Sequence, residues 1–288
     1  MNNETLGDYC KKLEIPYTYN MVIQEDEYCI IRVDGRAFHT FTRPYKRKDK
    51  PFCEDIVNAM KAAVEALIGE FCPVVVYTQS DEITVVIAPH KVPFGRKCHK
   101  LNSIAASVAT AAFNSNLYMA GRHRGDKLAT FDARSYGASK DDVLKVLIWR
   151  QKDAIKNSIS NVARTVFSNR ELVSKNSDER LAMMKEKGVD WNSYGYGDKY
   201  GLTAFRKVRE VQLDVEYMKS RNVPEDVIKK IFGEGGMCVR SVTEYPELPP
   251  FRDIANLDQV IFDGVDPILK TEPAMRELFG EEETKHEG

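Results

Sequence analysis

Two apolar, β-branched runs constrain this chain more than any other feature, because each ends on a carboxylate. Tyr28 to Val33 (YCIIRV) has the apolar density of a buried strand, and Asp34-Gly35 stops it. Val74 to Thr78 and Ile83 to Ala88 have the same character and flank a turn at Ser80-Asp81, so they pair as a hairpin. A carboxylate at a strand end is held by rigid backbone yet points out of the sheet. If the two strands are neighbours, Asp34 and Asp81 converge, with Glu82 beside them. Converging carboxylates repel unless a cation neutralises them, and hard oxygen ligands suit magnesium, which also takes phosphate oxygens. That is the arrangement for two-metal phosphoryl or nucleotidyl transfer.

The elements between these runs set the fold class. Residues 1 to 20 read as a short amphipathic helix and a loop, and Phe38 to Phe52 as a loop rich in cations and aromatics. Glu54 to Phe71 carries Ile56, Met60, Ala63, Val64, Leu67 and Phe71 as one helical stripe. A second, alanine-rich helix starts at Arg96 or Lys97 and runs to about Tyr118. Leu128 to Asp132 reads as a fourth strand, ending Phe131-Asp132-Ala133-Arg134. The order strand, helix, strand, strand, helix, strand is the βαββαβ pattern of an α+β, ferredoxin-like fold with both helices on one face. Such a fold hosts many functions and does not decide chemistry.

Beyond it, Ser139 caps a long helix to about Phe167, with Asp141 and Asp142 in its first turn and Asn157, Ser158 and Asn161 on a polar side. Ser177 caps a further helix that Gly188 ends. Trp191 to Tyr200 is an aromatic, glycine-rich loop, and Gly201 to Asp214 is a strand region. Pro224 opens a short helix, Gly233 to Gly236 breaks the chain, and Val239 to Tyr245 is strand-like. From about Thr271 a short helix and a disordered acidic tail are expected. The expected division is a catalytic domain over 1–170 and a helical and mixed extension over 171–288.

Charge adds local rather than global information. The net charge is −1, yet Arg43 to Lys50 (RPYKRKDK) holds five cations and one anion, a patch able to contact phosphates. Arg96, Lys97 and Lys100 crowd the start of the second helix, where cations oppose the macrodipole unless they share an anion with the free N–H groups. The six cysteines form no CxxC and the five histidines are scattered, so a zinc site is not expected and a reducing compartment is. MNNETLGDYCKKLE lacks the apolar core of a signal peptide, and no run approaches membrane-spanning length. The expectation is a soluble, cytoplasmic protein with no membrane partner.

Val33-Asp34-Gly35-Arg36-x-Phe38-His39, Gln79-Ser80-Asp81-Glu82, Phe131-Asp132-x-Arg134 and Trp149-Arg150-Gln151-x-Asp153 occur in this order. Together they resemble the motifs of the tRNA-histidine guanylyltransferase family, over about Tyr28 to Phe205. The resemblance implies a polymerase-type palm and 3′-to-5′ nucleotide addition to tRNA. It implies Asp34, Asp81 and the Gly35 carbonyl as ligands of two magnesium ions, with Glu82 as a further catalytic carboxylate. Arg36, Ala37, Phe38, His39 and Ser80 are implied as the cradle of the activating ATP or GTP, with Lys50 reaching it. Lys97 and Lys100 are implied to hold the triphosphate of the nucleotide being added. Arg43, Lys46, Arg47 and Asn157 are candidates for RNA contact. The resemblance also implies a homo-oligomer, commonly a tetramer.

One departure refines the expectation. Where the eukaryotic enzymes carry a His-Ile-Asn-Asn segment tied to tRNA-histidine recognition, this chain has Ala154-Ile155-Lys156-Asn157-Ser158, and the histidine position is Ile155. An isoleucine cannot hydrogen-bond a base. The segment is more similar to the bacterial and phage members, for which the implied activity is template-dependent repair of truncated tRNA 5′ ends. The alternatives are untemplated guanosine addition to tRNA-histidine, a palm-domain nucleotide cyclase, and a non-catalytic RNA-binding protein.

Overall fold

Alternation along Tyr28–Gly35 (β1) decides which helices cover which face of the sheet. In a computed structural model the described residues are 21–45, 50–212, 214–232 and 237–271. Cys29, Ile31 and Val33 join a core with α1 (Glu54–Phe71) and α2 (Cys98–Met119), whereas Ile30 points the other way into a core with Val143 and Leu147 of α3 (Lys140–Val166). Strand β1 is therefore buried on both sides, which explains its near-continuous apolar run. The stripe on α1 and the Leu101, Ala105, Ala109, Phe113 and Leu117 ridge on α2 are the buried faces of those helices.

The hairpin β2 (Val75–Gln79) and β3 (Glu82–Ile87) and the strand β4 (Phe131–Ala138) complete the palm. The strand order β4-β1-β3-β2 with antiparallel neighbours is the βαββαβ ferredoxin-like arrangement read from the sequence. α4 (Ser177–Glu186) packs on α3, and Trp191 donates its indole N–H to Ser158 of α3 at 2.9 Å. β5 (Leu202–Gln212) then pairs with β2, and β6 (Met237–Glu244) with β5, so the sheet has six strands. At the entry to β5, Gly201 has φ 75°, and a Cβ there would lie 2.8 Å from the Thr78 carbonyl oxygen, so only glycine lets the chain turn there. Among the described residues, no helix is long and apolar enough to cross a membrane.

Several expectations need correction. The fourth strand is Phe131–Ala138, not Leu128 to Asp132: Phe131-Asp132-Ala133-Arg134 begins it. Charged and small residues alternate along this half-open edge strand, so it lacks the apolar run that marks β1, and Leu128 before it is exposed. Phe38 to Phe52 is not all loop, since Phe38–Phe41 is a helical turn that buries Phe38 and Phe41. Asn176, not Ser177, caps α4, in a reciprocal capping box with Glu179. The glycine-rich stretch 191–200 contains two short helical turns, Trp191–Ser193 and Tyr196–Tyr200. The expectations for residues 1–20, for Gly233 to Gly236 and for the tail from 272 lie outside the described residues.

One buried polar contact ties α2 to the chain entering β4. The Asn114 amide donates to the Ala129 carbonyl at 2.8 Å and accepts from the Ala129 N–H at 3.0 Å. Removing it strands two buried backbone groups. Asn114→Ala should therefore cost about 2–3 kcal/mol, read from the midpoint of urea unfolding. A change within about 0.5 kcal/mol would mean that water replaces the amide.

Candidate active site

Antiparallel pairing of β1 with β3 sets Asp34 opposite Glu82. The hairpin turn then folds back on the end of β1, where the Gly35 N–H donates to the Asp81 carbonyl at 3.0 Å. Ser80 supplies the left-handed conformation of that turn, with φ 51°. A Cβ on Gly35 would stand 2.9 Å from the Asp81 Cβ and 2.4 Å from the Phe38 ring, so close approach requires glycine. The structure thus brings Asp34, Gly35 and Asp81 to one corner of the sheet. Burial raises the Asp81 carboxyl above its ordinary range, and the nearby Asp34 charge raises it further, against a lowering hydrogen bond from Ser80.

Glu82, expected as a further catalytic carboxylate, differs from these two in its contacts. It is buried and its carboxylate lies 3.2 Å from Arg150 Nε and 3.4 Å from Arg32 Nε. Arg32 also reaches Asp34 at 3.4 Å, and Arg150 pairs with Asp153. Burial pushes the Glu82 pKa up, opposed by the two guanidinium charges. These charge contacts hold the Glu82 carboxylate beside the corner without hydrogen bonds from either Nε. Sequence reading had the residue and missed both partners, since Arg32 and Arg150 are separated by more than a hundred positions.

Beside the corner opens a cleft of about 640 Å³. His39, Thr42, Lys50, Ser80 and Asp81 line one side, and Asn157, Asn161 and Arg164 of α3 line the other. The latter three are spaced i, i+4, i+7, which puts them on one helical face. Arg164 was overlooked in sequence although that spacing predicts it. Ser158 lies on this side too, but its hydroxyl is taken by Trp191.

Other expected residues fall elsewhere. Arg36 is exposed and its N–H donates to the Thr130 carbonyl at 2.9 Å. Ala37 takes a left-handed conformation that starts the Phe38–Phe41 turn. The Phe38 ring is core, packed with Phe41, Phe113 and Phe131, so only its backbone faces a ligand. Arg43 is exposed on the adjoining turn, and Lys46 and Arg47 lie outside the described residues. Lys97 and Lys100 are not brought to the corner. Thr110 of α2 contacts Phe131, which pairs with Gly35, whereas Cys98 at the start of α2 contacts Ser135, which pairs with Ile31. The start of α2 therefore lies beside the middle of β1, at Ile31 rather than at Asp34. Arg96 is not free for an anion either: it binds the carbonyls of Ile23, Gln24, Glu27 and Pro89.

Among the described residues, no three His, Cys, Asp or Glu side chains gather as a metal site. The oxygens on offer are two carboxylates and a backbone carbonyl. This hard, anionic donor set, without nitrogen or sulfur, fits magnesium, which keeps water and phosphate oxygens as its remaining ligands.

A raised carboxyl pKa means that ionised Asp81 destabilises the fold above its folded pKa, and that the penalty disappears below the ordinary carboxylate range. Asp81→Asn should melt a few degrees higher than the wild type above neutral pH, with the gap closing as the solution is acidified. Magnesium should raise the wild-type melting temperature and leave the variant unchanged. Thermal melts across pH, with and without magnesium, check both, and a variant that melts lower above neutrality would contradict them.

The chain resembles known proteins over most of its length. The family model for tRNAHis guanylyltransferase (Thg1) matches residues 7–138. A tRNA(His) guanylyltransferase of Debaryomyces hansenii is 30% identical over 199 residues, 63% of this chain and 74% of that protein. A bacterial tRNA(His) guanylyltransferase (Thg1)-like protein, solved in complex with ATP, is 33% identical with a TM-score of 0.63, over 70% of this chain and 87% of that one. A bacterial Thg1-like protein solved in complex with GTP is 26% identical with a TM-score of 0.60, over 86% and 93% of the two chains. With the ordered motifs, the palm and the carboxylate corner in hand, these similarities show that the chain belongs to the tRNA(His) guanylyltransferase (Thg1) family, nucleotidyltransferases that act on tRNA.

Proposed function

We propose that this protein is a template-dependent 3′-to-5′ nucleotidyltransferase that restores missing nucleotides at the 5′ end of tRNA. The observation that carries this reading is the environment of Ile155. Ala154, Ser158 and Ile159 around it are buried, and Ile155 packs against the cluster holding Trp191 and Met184. The segment that would read tRNA-histidine in the eukaryotic members is thus given over to core packing, apart from the exposed Lys156 and Asn157. Watson–Crick pairing with the opposite strand can choose the nucleotide, so the protein needs no base-specific contact there.

The proposed reaction has two steps. The 5′-monophosphate of the tRNA attacks the α-phosphate of ATP or GTP, releasing pyrophosphate and leaving a nucleotidylated end. The 3′-hydroxyl of the incoming nucleoside triphosphate then attacks that 5′ phosphate and expels the nucleoside monophosphate. His39, Lys50 and Ser80 hold the activating triphosphate in the cleft, and Asn157, Asn161 and Arg164 face it from α3. Asp34, Asp81 and the Gly35 carbonyl would hold magnesium, which when bound acidifies the hydroxyl and neutralises phosphate charge. Arg32 and Arg150 hold Glu82, and through Arg32 they steady Asp34. No side-chain nucleophile is needed, since positioning and charge neutralisation supply the catalysis. The bacterial relatives solved with ATP and with GTP support the choice of activating nucleotide. The reading includes a reducing, cytoplasmic setting, and a homo-oligomer, a tetramer by family resemblance.

The names of the fungal relatives favour a second reading, guanosine addition to intact tRNA-histidine. One experiment separates the two. Labelled nucleotides are offered with ATP and magnesium to a 5′-monophosphorylated tRNA lacking its first nucleotide, with the opposing base varied, and to full-length tRNA-histidine. Incorporation on the truncated tRNA should follow the opposing base, and Asp34→Ala should abolish it. Preferential guanosine addition to the intact tRNA, whatever base lies opposite, would replace the first reading by the second.

A further inference from the structure

Three of the four Trp-Arg-Gln-x-Asp side chains have internal duties. Arg150 reaches Glu82, Asp153 pairs with Arg150, and the Gln151 amide oxygen accepts from the Phe251 N–H at 2.6 Å. Trp149 has no such duty and remains 49% exposed. The Arg150 guanidinium lies 3.9 Å from its ring centroid, so a cation backs one face of the indole. Its exposed face, backed by a cation, is free to stack on a further ring.

The surroundings say what it meets. Ile30 faces α3, so Arg32 and Asp34, two and four residues on, lie on the same face of β1. Their cross-strand partners Arg134 and Asp132 share that face, and so does Tyr136 opposite Ile30. Arg134 is 57% exposed and Tyr136 37% exposed, so this part of the sheet face is open. It carries the Tyr136 ring and two arginines, Arg32 and Arg134, each paired with an aspartate of the same face, so what it offers a base is an aromatic surface rather than a basic one. Trp149 is also distinct from the triphosphate cleft. It precedes Asn157 by eight residues, which is roughly 12 Å along the helix and about 80° around it. The corner of Asp34 and Asp81 lies between the two: the cleft reaches it through Asp81, and Trp149 through Arg150, Glu82 and Asp34.

We infer that Trp149, backed by Arg150, is a stacking site for the base at the 5′ end of the RNA substrate. Stacking on an indole is tolerant of base identity, which suits an enzyme that must accept whichever nucleotide ends a truncated strand. The site rests on the proposed function only for the identity of the RNA.

Fluorescence tests it without chemistry. Trp191, the second tryptophan, is buried and hydrogen-bonded, so quenching by a ligand reports Trp149. A truncated, 5′-monophosphorylated tRNA is titrated into the full chain without divalent cations, with ATP alone as the parallel arm. The tRNA should quench the emission saturably. Trp149→Phe should lose the quench yet bind within about threefold of the wild type, and Trp149→Ala should bind about tenfold more weakly. Wild-type affinity in Trp149→Ala, a quench that survives Trp149→Phe, or full quenching by ATP alone would overturn the site. So would an emission change on raising protein concentration without RNA, which would mean that a second copy covers the ring. If the tRNA quenches as expected but no nucleotide is incorporated with magnesium present, the functional reading fails and the site stands. If incorporation is templated and Trp149→Ala keeps the wild-type KM for tRNA, the site fails alone.

Discussion

Two like charges held at one corner by the pairing of β1 with β3 are the constraint around which the molecule is arranged. Backbone geometry, not side-chain choice, makes Asp34 and Asp81 neighbours, and the Gly35 N–H closing on the Asp81 carbonyl locks them there. The register also sets a third carboxylate, Glu82, opposite Asp34. Three anions in a partly buried corner would push one another toward protonation. The chain answers with Arg32 and Arg150, which engage Glu82 and leave Asp81 and the outer side of Asp34 to an external cation. Buried ion clusters of this kind hold geometry more than they add stability, because desolvation offsets much of the attraction.

The helix α3 links that corner to everything else. Its Val143 and Leu147 pack on one face of the sheet, Arg150 enters the charge cluster, and Asn157, Asn161 and Arg164 wall the cleft. Trp191 and α4 then pin its C-terminal half through Ser158 and the core around Met184. A helix tied at both ends can hold polar groups in place over several turns, which a loop carrying the same residues would not do. The addition of β5 to β2 makes the later part of the chain a continuation of the same sheet, with the Tyr77 hydroxyl donating to the Tyr200 carbonyl at 2.7 Å just before the join.

Local pattern was enough for much of the fold. The period-3.6 stripe of α1, the Ser139 cap of α3 and the apolar runs of β1, β2 and β3 follow from side-chain chemistry within a few residues, and they appear where pattern puts them. The fourth strand was misplaced because its open edge alternates charge with small residues, and because the chain before it is held by a distant side chain, Asn114, rather than by any local signal. The cations at the start of α2 illustrate the same limit. Their chemistry suits a phosphate, but sequence carries no information on where along β1 the helix begins.

By itself, then, the sequence determined the elements, their βαββαβ order, the family motifs and the presence of Asp34 and Asp81 at strand ends, because periodicity, caps and turns are local properties. Only the tertiary structure decided that Glu82 belongs to two arginines, that Asn157, Asn161 and Arg164 face Ser80 across a cleft, that Lys97 and Lys100 stand apart, and that Trp149 is left open beside the carboxylates. Those relations join residues as much as 115 or more positions apart, and they depend on the register of strands and the direction of helices, which no short stretch of chain encodes.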